Sequence, residues 1–544
     1  MHDVGMSGAD AVVVGAGPNG LVAANVLVDA GWGVVVLEAQ DEPGGAVRSG
    51  ELTIPGYTHD LFSAFYPLGV ASPVLRSLEL ERWGLRWRRS PLVVAHPTEE
   101  EGCVALSMDV DETAESFERL GAGDGDAWRE LYGLWTKVGD RIVDALLTPF
   151  PPVVAGARVA LHLHRDLVRF ARFALLPVRT MAAERFRGPG GALLLGGNAL
   201  HADFAPESVL SGFFGWLLVS IGQQHGFPVP EGGAARLTDA LVARLESRGG
   251  RVECGARVDR ILVRDGRAAG VRLDGGDQVA AARAVLADVA APLLYRDLLD
   301  PEVVPPRVRD DVNRFEWDPA TVKIDWALAR PIPWRDADAR RAATIHLSRS
   351  FDHLTEVTAQ TTMGLVPARP FLVMGQLSVA DPTRSPAGTE TAWAYTHVPA
   401  RIRGDAAGQM SGRWDDADRE AFVRRVEDEI ELQAPGFRES IRGRHVFAPP
   451  DFEGRNASLV HGAVNGGTAQ LYQQLVFRPT PGIGRPETPI AGLYLASSSA
   501  HPGGGVHGAC GNNAARAALA WTQLRRRAMT AGAVALAARY ATRR

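Results

Sequence analysis

The sequence has little cysteine and almost no lysine. Three cysteines, Cys103, Cys254 and Cys510, lie far apart and form no Cys-x-x-Cys pair, which excludes a disulfide framework and a dithiol redox centre. A reducing compartment is the simplest location for such a chain. The 58 basic residues include only two lysines, Lys137 and Lys323, and 63 acidic residues bring the net charge to −5. This balance gives no global attraction to nucleic acid, and we expect no nucleic-acid partner.

Long hydrophobic runs are also absent. The longest uncharged stretch, 208–224, contains Ser, Gly and Gln, so it predicts a buried core helix rather than a membrane span. We predict no signal peptide, because no basic segment followed by an apolar one opens the sequence. We therefore expect a cytoplasmic protein without a metal site. With 46% hydrophobic and 22% charged residues, the composition excludes a disordered, collagen-like or coiled-coil chain.

A dinucleotide-binding pattern occupies the first forty residues. An apolar strand is predicted at 10–14, a glycine turn at 15–20, a helix at 21–30 and a second strand at 33–37, which ends at Glu38. Gly15 allows the tight turn, Gly17 lets the backbone approach a pyrophosphate, and Gly20 lets the helix pack closely. The helix N-terminus offers N–H groups to the phosphates. Glu38 is expected to accept hydrogen bonds from ribose hydroxyls.

The residues after Glu38 distinguish a flavin from a nicotinamide nucleotide. A glycine pair, Gly44-Gly45, is followed by Ala46 and Arg48. This arrangement resembles the extended signature of FAD-binding amine oxidases and phytoene desaturases. The resemblance implies that these residues line the pyrophosphate and ribityl part of FAD. No second glycine fingerprint for a nicotinamide nucleotide is visible, which disfavours stable NAD(P) binding.

Two later segments resemble the rest of the same FAD-binding domain. A helix predicted at 237–248 is followed by short strands and a buried strand at 284–288, where Val258 and Ala287 are implied to lie near the cofactor. A strand at 492–497, a glycine turn at 498–505 and a helix at 506–527 follow near the C-terminus. In such oxidoreductases this helix points at the pyrimidine edge of the flavin, where its dipole stabilises negative charge.

Taken together, these motifs resemble the phytoene-dehydrogenase-related branch of the flavin amine oxidase superfamily from end to end. The resemblance implies an α/β fold: a Rossmann-like FAD-binding domain with a discontinuous α+β substrate domain. We expect the FAD-binding domain at 9–90, 229–300 and 487–530, the substrate domain at 91–228 and 301–486, and terminal tails at 1–8 and 531–544. The cofactor is expected to be non-covalent FAD. The residues expected to bind it are Gly15, Gly17, Pro18, Asn19, Gly20, Glu38, Ala39, Gly44, Gly45, Ala46, Arg48, Val258, Ala287, Gly504, Gly505 and Val506.

A basic periodicity marks the segment 153–180. Its basic residues recur at steps of 3, 4 and 7, which places them on one face of a predicted helix; they are Arg158, His162, Arg165, Arg169, Arg172 and Arg179. A basic amphipathic helix of this kind docks on anionic lipid, and a solvated face over a core-packed helix is the alternative. A peripheral membrane contact through 153–180 is therefore one of two expectations.

Three side chains are candidates for a part in the chemistry. Lys323 lies in a strand resembling the one whose lysine holds a water at flavin N5 in amine oxidases. His501 and His507 flank the C-terminal glycine turn and titrate near neutral pH when unperturbed. The alternatives are an exposed strand lysine and two histidines that cap or pack. Cys510 is expected to be a small buried residue rather than a covalent flavin anchor.

Four functions remain open on the sequence alone. We favour a dehydrogenase or desaturase that transfers hydride from a substrate C–H to flavin N5, with an apolar small-molecule substrate suggested by the apolar segment 213–218. The second is an amine oxidase that uses Lys323 and water, and the third a redox-neutral flavin-dependent isomerase. The fourth is a non-catalytic flavoprotein. The electron acceptor, oxygen or a quinone, is not determined.

Overall fold

The computed structural model describes residues 8–163 and 166–524. The strands are β1 (Ala9–Val14), β2 (Val34–Leu37), β3 (Ser49–Gly50), β4 (His59–Asp60), β5 (Trp87–Arg88), β6 (Leu92–Pro97), β7 (Cys103–Leu106), β8 (Val229–Pro230), β9 (Arg251–Glu253), β10 (Val258–Arg264), β11 (Arg267–Leu273), β12 (Gln278–Ala287), β13 (Ala320–Leu328), β14 (Ala342–Leu347), β15 (Leu365–Val366), β16 (Leu372–Gln376), β17 (Glu390–Val398), β18 (Gly404–Asp405), β19 (Ile441–Phe447) and β20 (Leu493–Leu495).

The helices alternate with these strands. They are α1 (Pro18–Asp29), α2 (Pro67–Ala71), α3 (Pro73–Ser77), α4 (Val110–Leu120), α5 (Asp124–Leu147), α6 (Val153–Leu163), α7 (Leu167–Leu175), α8 (Val178–Arg185), α9 (Gly190–Ala199), α10 (Ser211–His225), α11 (Ala235–Ser247), α12 (Ala291–Leu293), α13 (Pro306–Asn313), α14 (Phe351–Thr362), α15 (Leu377–Ala380), α16 (Asp416–Gln433), α17 (Phe437–Ser440), α18 (Pro449–Arg455) and α19 (509–524).

The first large sheet has the strand order β10-β11-β12-β1-β2-β9, and β20 pairs with β12. Strands β1, β2, β9, β12 and β20 run parallel, whereas β10, β11 and β12 form an antiparallel meander. The valine-rich strand β1 is buried on both faces: Val13 packs in one hydrophobic cluster with α1 and α11, and Val12 packs in another with β10 and β11. Burial on both faces explains the continuous apolar run in the sequence.

The second large sheet has the order β19-β13-β17-β16-β14-β6-β7. Its strands pair antiparallel except for β14 and β6. One face packs on α16, with Trp326 and Phe422 in the same cluster. Lys323 of β13 is paired with Tyr395 of β17, which is paired with Val373 of β16, so these three side chains share the opposite face.

The strands of the two sheets come from the chain segments that the sequence assigns to the FAD-binding and substrate domains. All strands of the first sheet lie within 9–90, 229–300 and 487–530, and all those of the second lie within 91–228 and 301–486. The exact domain boundaries stay predictions. The segment 110–225 is helical, and the uncharged stretch 208–224 forms the buried helix α10. Within the described ranges, no helix is both long and apolar enough to cross a bilayer.

Two helix predictions need correction. The segment 153–180 does not form one helix: α6 and α7 are separated around Asp166, whose backbone is not helical, and Pro177 separates α7 from α8. The six basic residues therefore do not share one continuous face, and Arg165 lies outside the described residues. The C-terminal helix begins at 509 rather than 506, because Gly505 and Gly508 have φ values of 104° and 70°.

Candidate active site

A cavity of about 560 Å³ joins the two glycine turns to the second sheet. It brings most of the predicted cofactor residues together although they come from three distant parts of the sequence. The predicted residues that line it are Gly15, Gly17, Pro18, Asn19, Glu38, Ala39, Gly45, Ala46, Arg48, Val258, Gly504, Gly505, Val506 and Lys323. Gly20, Gly44, Ala287, His501 and His507 are not among its lining residues.

The first glycine turn has the shape that close approach of a phosphate requires. A Cβ at Gly17 would lie 2.6 Å from Oδ2 of Asp288, and one at Gly20 would lie 2.2 Å from the carbonyl oxygen of Gly15. A Cβ at Gly45 would lie 3.0 Å from Cα of Gly17, so the two glycine segments pack directly against each other. Gly20 therefore shapes the turn from behind the cavity wall.

Glu38 lies at the end of β2 with both carboxylate oxygens in use. Oε2 accepts the N–H of Ala16 at 2.8 Å, and Oε1 accepts the N–H of Gln40 at 3.0 Å. Each oxygen retains a second lone pair for a ribose hydroxyl. Nearby, the buried Oδ1 of Asn19 has no hydrogen-bond partner, which is the condition expected where a bound group completes the site. These residues fit the ADP half of FAD.

Asp288 is a site residue that the sequence analysis missed. It follows β12, lines the cavity, and accepts the N–H of Gly20 at 2.7 Å through Oδ2. Burial raises the pKa of Asp288 to about 7, and the nearby charge of Glu38 contributes to the increase. A buried carboxylate facing a phosphate-binding turn is held partly protonated near neutral pH.

Arg48 spans two parts of the chain at the cavity wall. Its Nε donates to the carbonyl of Gly45 at 3.1 Å, and one terminal nitrogen donates to the carbonyl of Arg455 at 3.2 Å. Burial lowers its pKa from the usual value, with Glu38 acting in the opposite direction. Arg48 thus fixes α18 against the second glycine pair.

The other half of the cavity is lined mainly by apolar and aromatic side chains. Trp393 and Tyr395 stack on the sheet face at a centroid distance of 5.9 Å, and Gly375 leaves the space for the Trp393 indole, since a Cβ there would lie 2.4 Å from the ring. The facing wall includes Phe65, Leu68, Phe214, Leu218 and Phe227.

His201 is the polar exception on that wall. Its Nε2 lies 2.7 Å from Nε2 of His346, and burial lowers the pKa of His201 to about 3, so the ring is neutral.

Lys323 lines the same half of the cavity and is deeply buried. Its ammonium forms an ion pair with Asp325, two residues along the same strand, and lies 5.9 Å from the centroid of the Trp393 ring. Nδ1 of His59 lies 3.5 Å from the same Asp325 oxygen. The lysine predicted from the sequence is therefore at the cavity wall, but it is ion-paired rather than free.

The two predicted histidines lie behind the second glycine turn. Nε2 of His501 is 3.1 Å from the carbonyl of Thr148, and the ring packs edge-on against Phe150. Nδ1 of His507 accepts the N–H of Ala509 at 3.0 Å. Burial lowers the pKa of both histidines to about 4. Both are neutral near pH 7, and their contacts are those of capping and packing residues.

Arg478 organises the second glycine turn from within the protein. It is fully buried and donates to backbone carbonyls of two cavity-lining segments: Ser498 at 2.7 Å, and Asn465 and Gly466 at 2.9 and 3.0 Å. The amides of the same loop donate to the buried carboxylate of Asp318. These opposed contacts fix the loop beside Gly504 and Gly505.

Several site residues carry no local signal in the sequence. Asp288, His201, Trp393 and Tyr395 are ordinary residues in strands or loops that only the tertiary fold brings to the cavity. Asp325 is the exception, because its position two residues after Lys323 places both on one face of a strand.

A Rossmann-like glycine turn, a second glycine turn and an apolar cavity between them define the class of protein as a flavin-dependent oxidoreductase. The family model for flavin containing amine oxidoreductases matches residues 160–519, and the model for the NAD(P)-binding Rossmann-like domain matches residues 13–78. The chain belongs to the flavin containing amine oxidoreductase family, whose characteristic cofactor is FAD.

Curated relatives cover almost the whole chain. Pyridine nucleotide-disulfide oxidoreductase domain-containing protein 2 of Rattus norvegicus is 29% identical over 93% of this chain and 92% of its own length. A limonene dehydrogenase polypeptide of Castellaniella defragrans is 24% identical over 93% and 94%. The neurosporene-forming phytoene desaturase of Cereibacter sphaeroides is 27% identical over 94% of both chains.

Solved structures share the fold. Putrescine oxidase bound to putrescine superposes with a TM-score of 0.59 at 16% identity, covering 95% of this chain and 99% of that one. Cyclohexylamine oxidase from Brevibacterium oxydans gives 0.58 at 16% identity, covering 95% and 100%. The predicted superfamily, fold class and cofactor are confirmed by these matches.

Proposed function

We propose that this enzyme dehydrogenates an apolar small molecule, removing two hydrogens from adjacent carbons to form a C=C bond. The observation that carries the proposal is the lining of the substrate half of the cavity, where Phe65, Phe214, Phe227 and Trp393 provide aromatic surface. Such surface binds a hydrocarbon skeleton by burial and contributes little to a charged amine. The limonene dehydrogenase and phytoene desaturase relatives support the same class of substrate.

When bound, FAD would accept a hydride at N5. The chain's own residues provide binding, orientation and the exclusion of water. Gly15, Gly17 and Glu38 would hold the ADP half, and Gly504 and Gly505 the flavin end. The aromatic wall excludes water from the reacting carbon and restricts the orientation of the substrate.

An amine oxidase is the second candidate, because Lys323 lines the cavity as the superfamily resemblance predicts. In that function, the ammonium of Lys323 would orient a water molecule. The ion pair with Asp325 disfavours this role, since the ammonium already has an anionic partner. A role for His501 or His507 in proton transfer is also disfavoured, because neither lines the cavity.

The experiment is anaerobic mixing of the FAD-loaded enzyme with candidate substrates while the oxidised-flavin absorbance is recorded. A monoterpene hydrocarbon and a polyene should bleach the flavin, whereas cyclohexylamine and putrescine should not. The product should be lighter than the substrate by two hydrogen atoms. Bleaching by the amines alone would establish the amine oxidase, and a product of unchanged mass would indicate the isomerase.

We also propose that α6 and α7 contact the membrane surface from which an apolar substrate would enter. Val154, Leu161 and Val168 are between 66% and 81% exposed, and they lie among the exposed basic residues Arg158 and Arg169. Exposed apolar side chains between cations match an anionic lipid surface. Two other basic residues of the segment have ion-pair partners within the protein: Arg172 pairs with Glu184, and Arg179 with Glu207 and Asp352.

Vesicle sedimentation tests this contact. The wild type should sediment with vesicles containing phosphatidylserine at low salt, and Arg158→Glu/Arg169→Glu should not. Arg172→Glu serves as the matched control, because its guanidinium is already paired, and it should retain most of the binding. Equal binding by all three proteins, or none by the wild type, would leave only the solvated-face interpretation.

A further inference from the structure

We propose that Asp325 cancels the charge of Lys323 at the cavity wall and thereby directs electrons to an organic acceptor of the quinone class rather than to oxygen. This inference rests on the proposed function, because it assumes that the cavity holds FAD. It assigns a role to Asp325, a positioning residue that acts through Lys323.

The geometry of the pair is set by the strand. Lys323 and Asp325 alternate along β13, so both project from the sheet face that lines the cavity. Their side chains form a direct ion pair and are almost completely buried, at 3% and 0% exposure. Water and salt do not screen such a pair, so the two charges cancel when seen from a short distance.

The ionised state of Asp325 is supported by its surroundings. Burial alone would raise the pKa of this carboxyl, but the ammonium of Lys323 and the contact with His59 hold it below the usual value. Nε2 of His59 is itself 2.8 Å from Oγ1 of Thr53, which fixes the imidazole against Asp325. From the neighbouring strand, His445 is paired with Asp325 in register, and burial lowers the pKa of His445.

The charge matters because of how oxygen is reduced. Transfer of the first electron to O2 creates an anion, and a fixed positive charge in a low-dielectric site stabilises that anion. An uncompensated lysine ammonium would provide such a charge, whereas the Lys323–Asp325 pair does not. A quinone that takes up two electrons and two protons to give a hydroquinone depends less on that charge. The same two electrons and two protons would convert O2 to hydrogen peroxide.

A four-protein cycle isolates the charge: the wild type, Lys323→Met, Asp325→Asn and the double variant. The FAD-loaded proteins are reduced anaerobically and mixed with O2 or with a soluble ubiquinone analogue between about pH 6 and pH 9. Asp325→Asn leaves the ammonium unpaired, so its reaction with O2 should be at least about tenfold faster than wild type at the low end of this range. The quinone reaction should change by less than about threefold.

The double variant is the matched neutral control. It replaces a cancelled pair by two uncharged side chains and retains His59, so its reaction with O2 should stay within about threefold of the wild type. Lys323→Met should be no faster than the wild type. A loss of more than about tenfold in the double variant would show that the lysine charge acts uncancelled, and would overturn the inference even if Asp325→Asn does not fold.

An equilibrium readout accompanies the rates. The midpoint potential of bound FAD, measured against a redox dye, should shift positively in Asp325→Asn and stay unchanged in the double variant. A gain in oxygen reactivity that persists in the double variant would assign the effect to His59 instead and overturn the inference. If the four proteins bind FAD but react with O2 equally, the inference fails alone. If the wild type binds no FAD, the proposed function fails with it.

Discussion

The pH dependence of stability should report the buried carboxylate at the glycine turn. Burial raises the pKa of Asp288 from 3.8 to about 7. Between those values the folded protein binds a proton that the unfolded chain releases, so stability falls as the pH rises through this window. At about 1.36 kcal/mol for each pKa unit, ionising Asp288 costs the folded state about 4 kcal/mol above pH 7. Asp288→Asn retains an oxygen that accepts the N–H of Gly20 and removes the ionisation.

Urea unfolding of the apoprotein measures this directly. The stability of Asp288→Asn relative to wild type should increase by up to about 4 kcal/mol between pH 4 and pH 8. Asp318 and Glu390 also have raised pKa values, about 6 and about 7, but they are present in both proteins and cancel in the difference. Asp277→Asn, at an exposed turn, is the control and should show no such trend. A stability difference that is the same at every pH would refute the assignment.

Three further outcomes follow from the structure. Arg384→Met should lower the free energy of unfolding by about 3–5 kcal/mol in urea, because it strands the buried Asp60 and Asp381, whereas Arg88→Met at an exposed pair should have no measurable effect. Gly20→Ala should abolish FAD retention on gel filtration, since its Cβ would lie 2.2 Å from the carbonyl oxygen of Gly15, whereas Gly133→Ala, with no atom within 4 Å, should retain FAD; retention by both would contradict the packing argument. Phe214→Ala should raise KM for the substrate that bleaches the flavin by about tenfold with little change in kcat, and unchanged steady-state kinetics would remove it from the substrate site.

The nucleotide-binding end of the fold was predictable because its signals are local. The run of strand, glycine turn, helix and second strand occupies consecutive residues, and each element has a composition that only a few backbone geometries satisfy. The observed β1, α1 and β2 match the predicted strand, helix and strand to within three residues. The helix predicted at 237–248 is likewise observed as α11.

The substrate half of the site was predictable only in part, because it depends on long-range contacts. Lys323 was found by its rarity and its strand, but its partner His59 comes from a distant segment with no matching signal. His501 and His507 flank the glycine turn in sequence, yet tertiary packing buries their rings behind it. The break in the 153–180 helix was missed because the basic periodicity outweighed the weaker boundary near Asp166.

Equilibrium binding of flavins to the apoprotein tests the central claim most directly. The cavity connects the glycine turn and Glu38 to the second glycine turn, so the account predicts that the protein binds one FAD per chain and gives the spectrum of an oxidised flavin. FMN, which lacks the AMP portion, should bind much more weakly. A protein that stays colourless with FAD, or that binds FMN as tightly as FAD, would contradict the account.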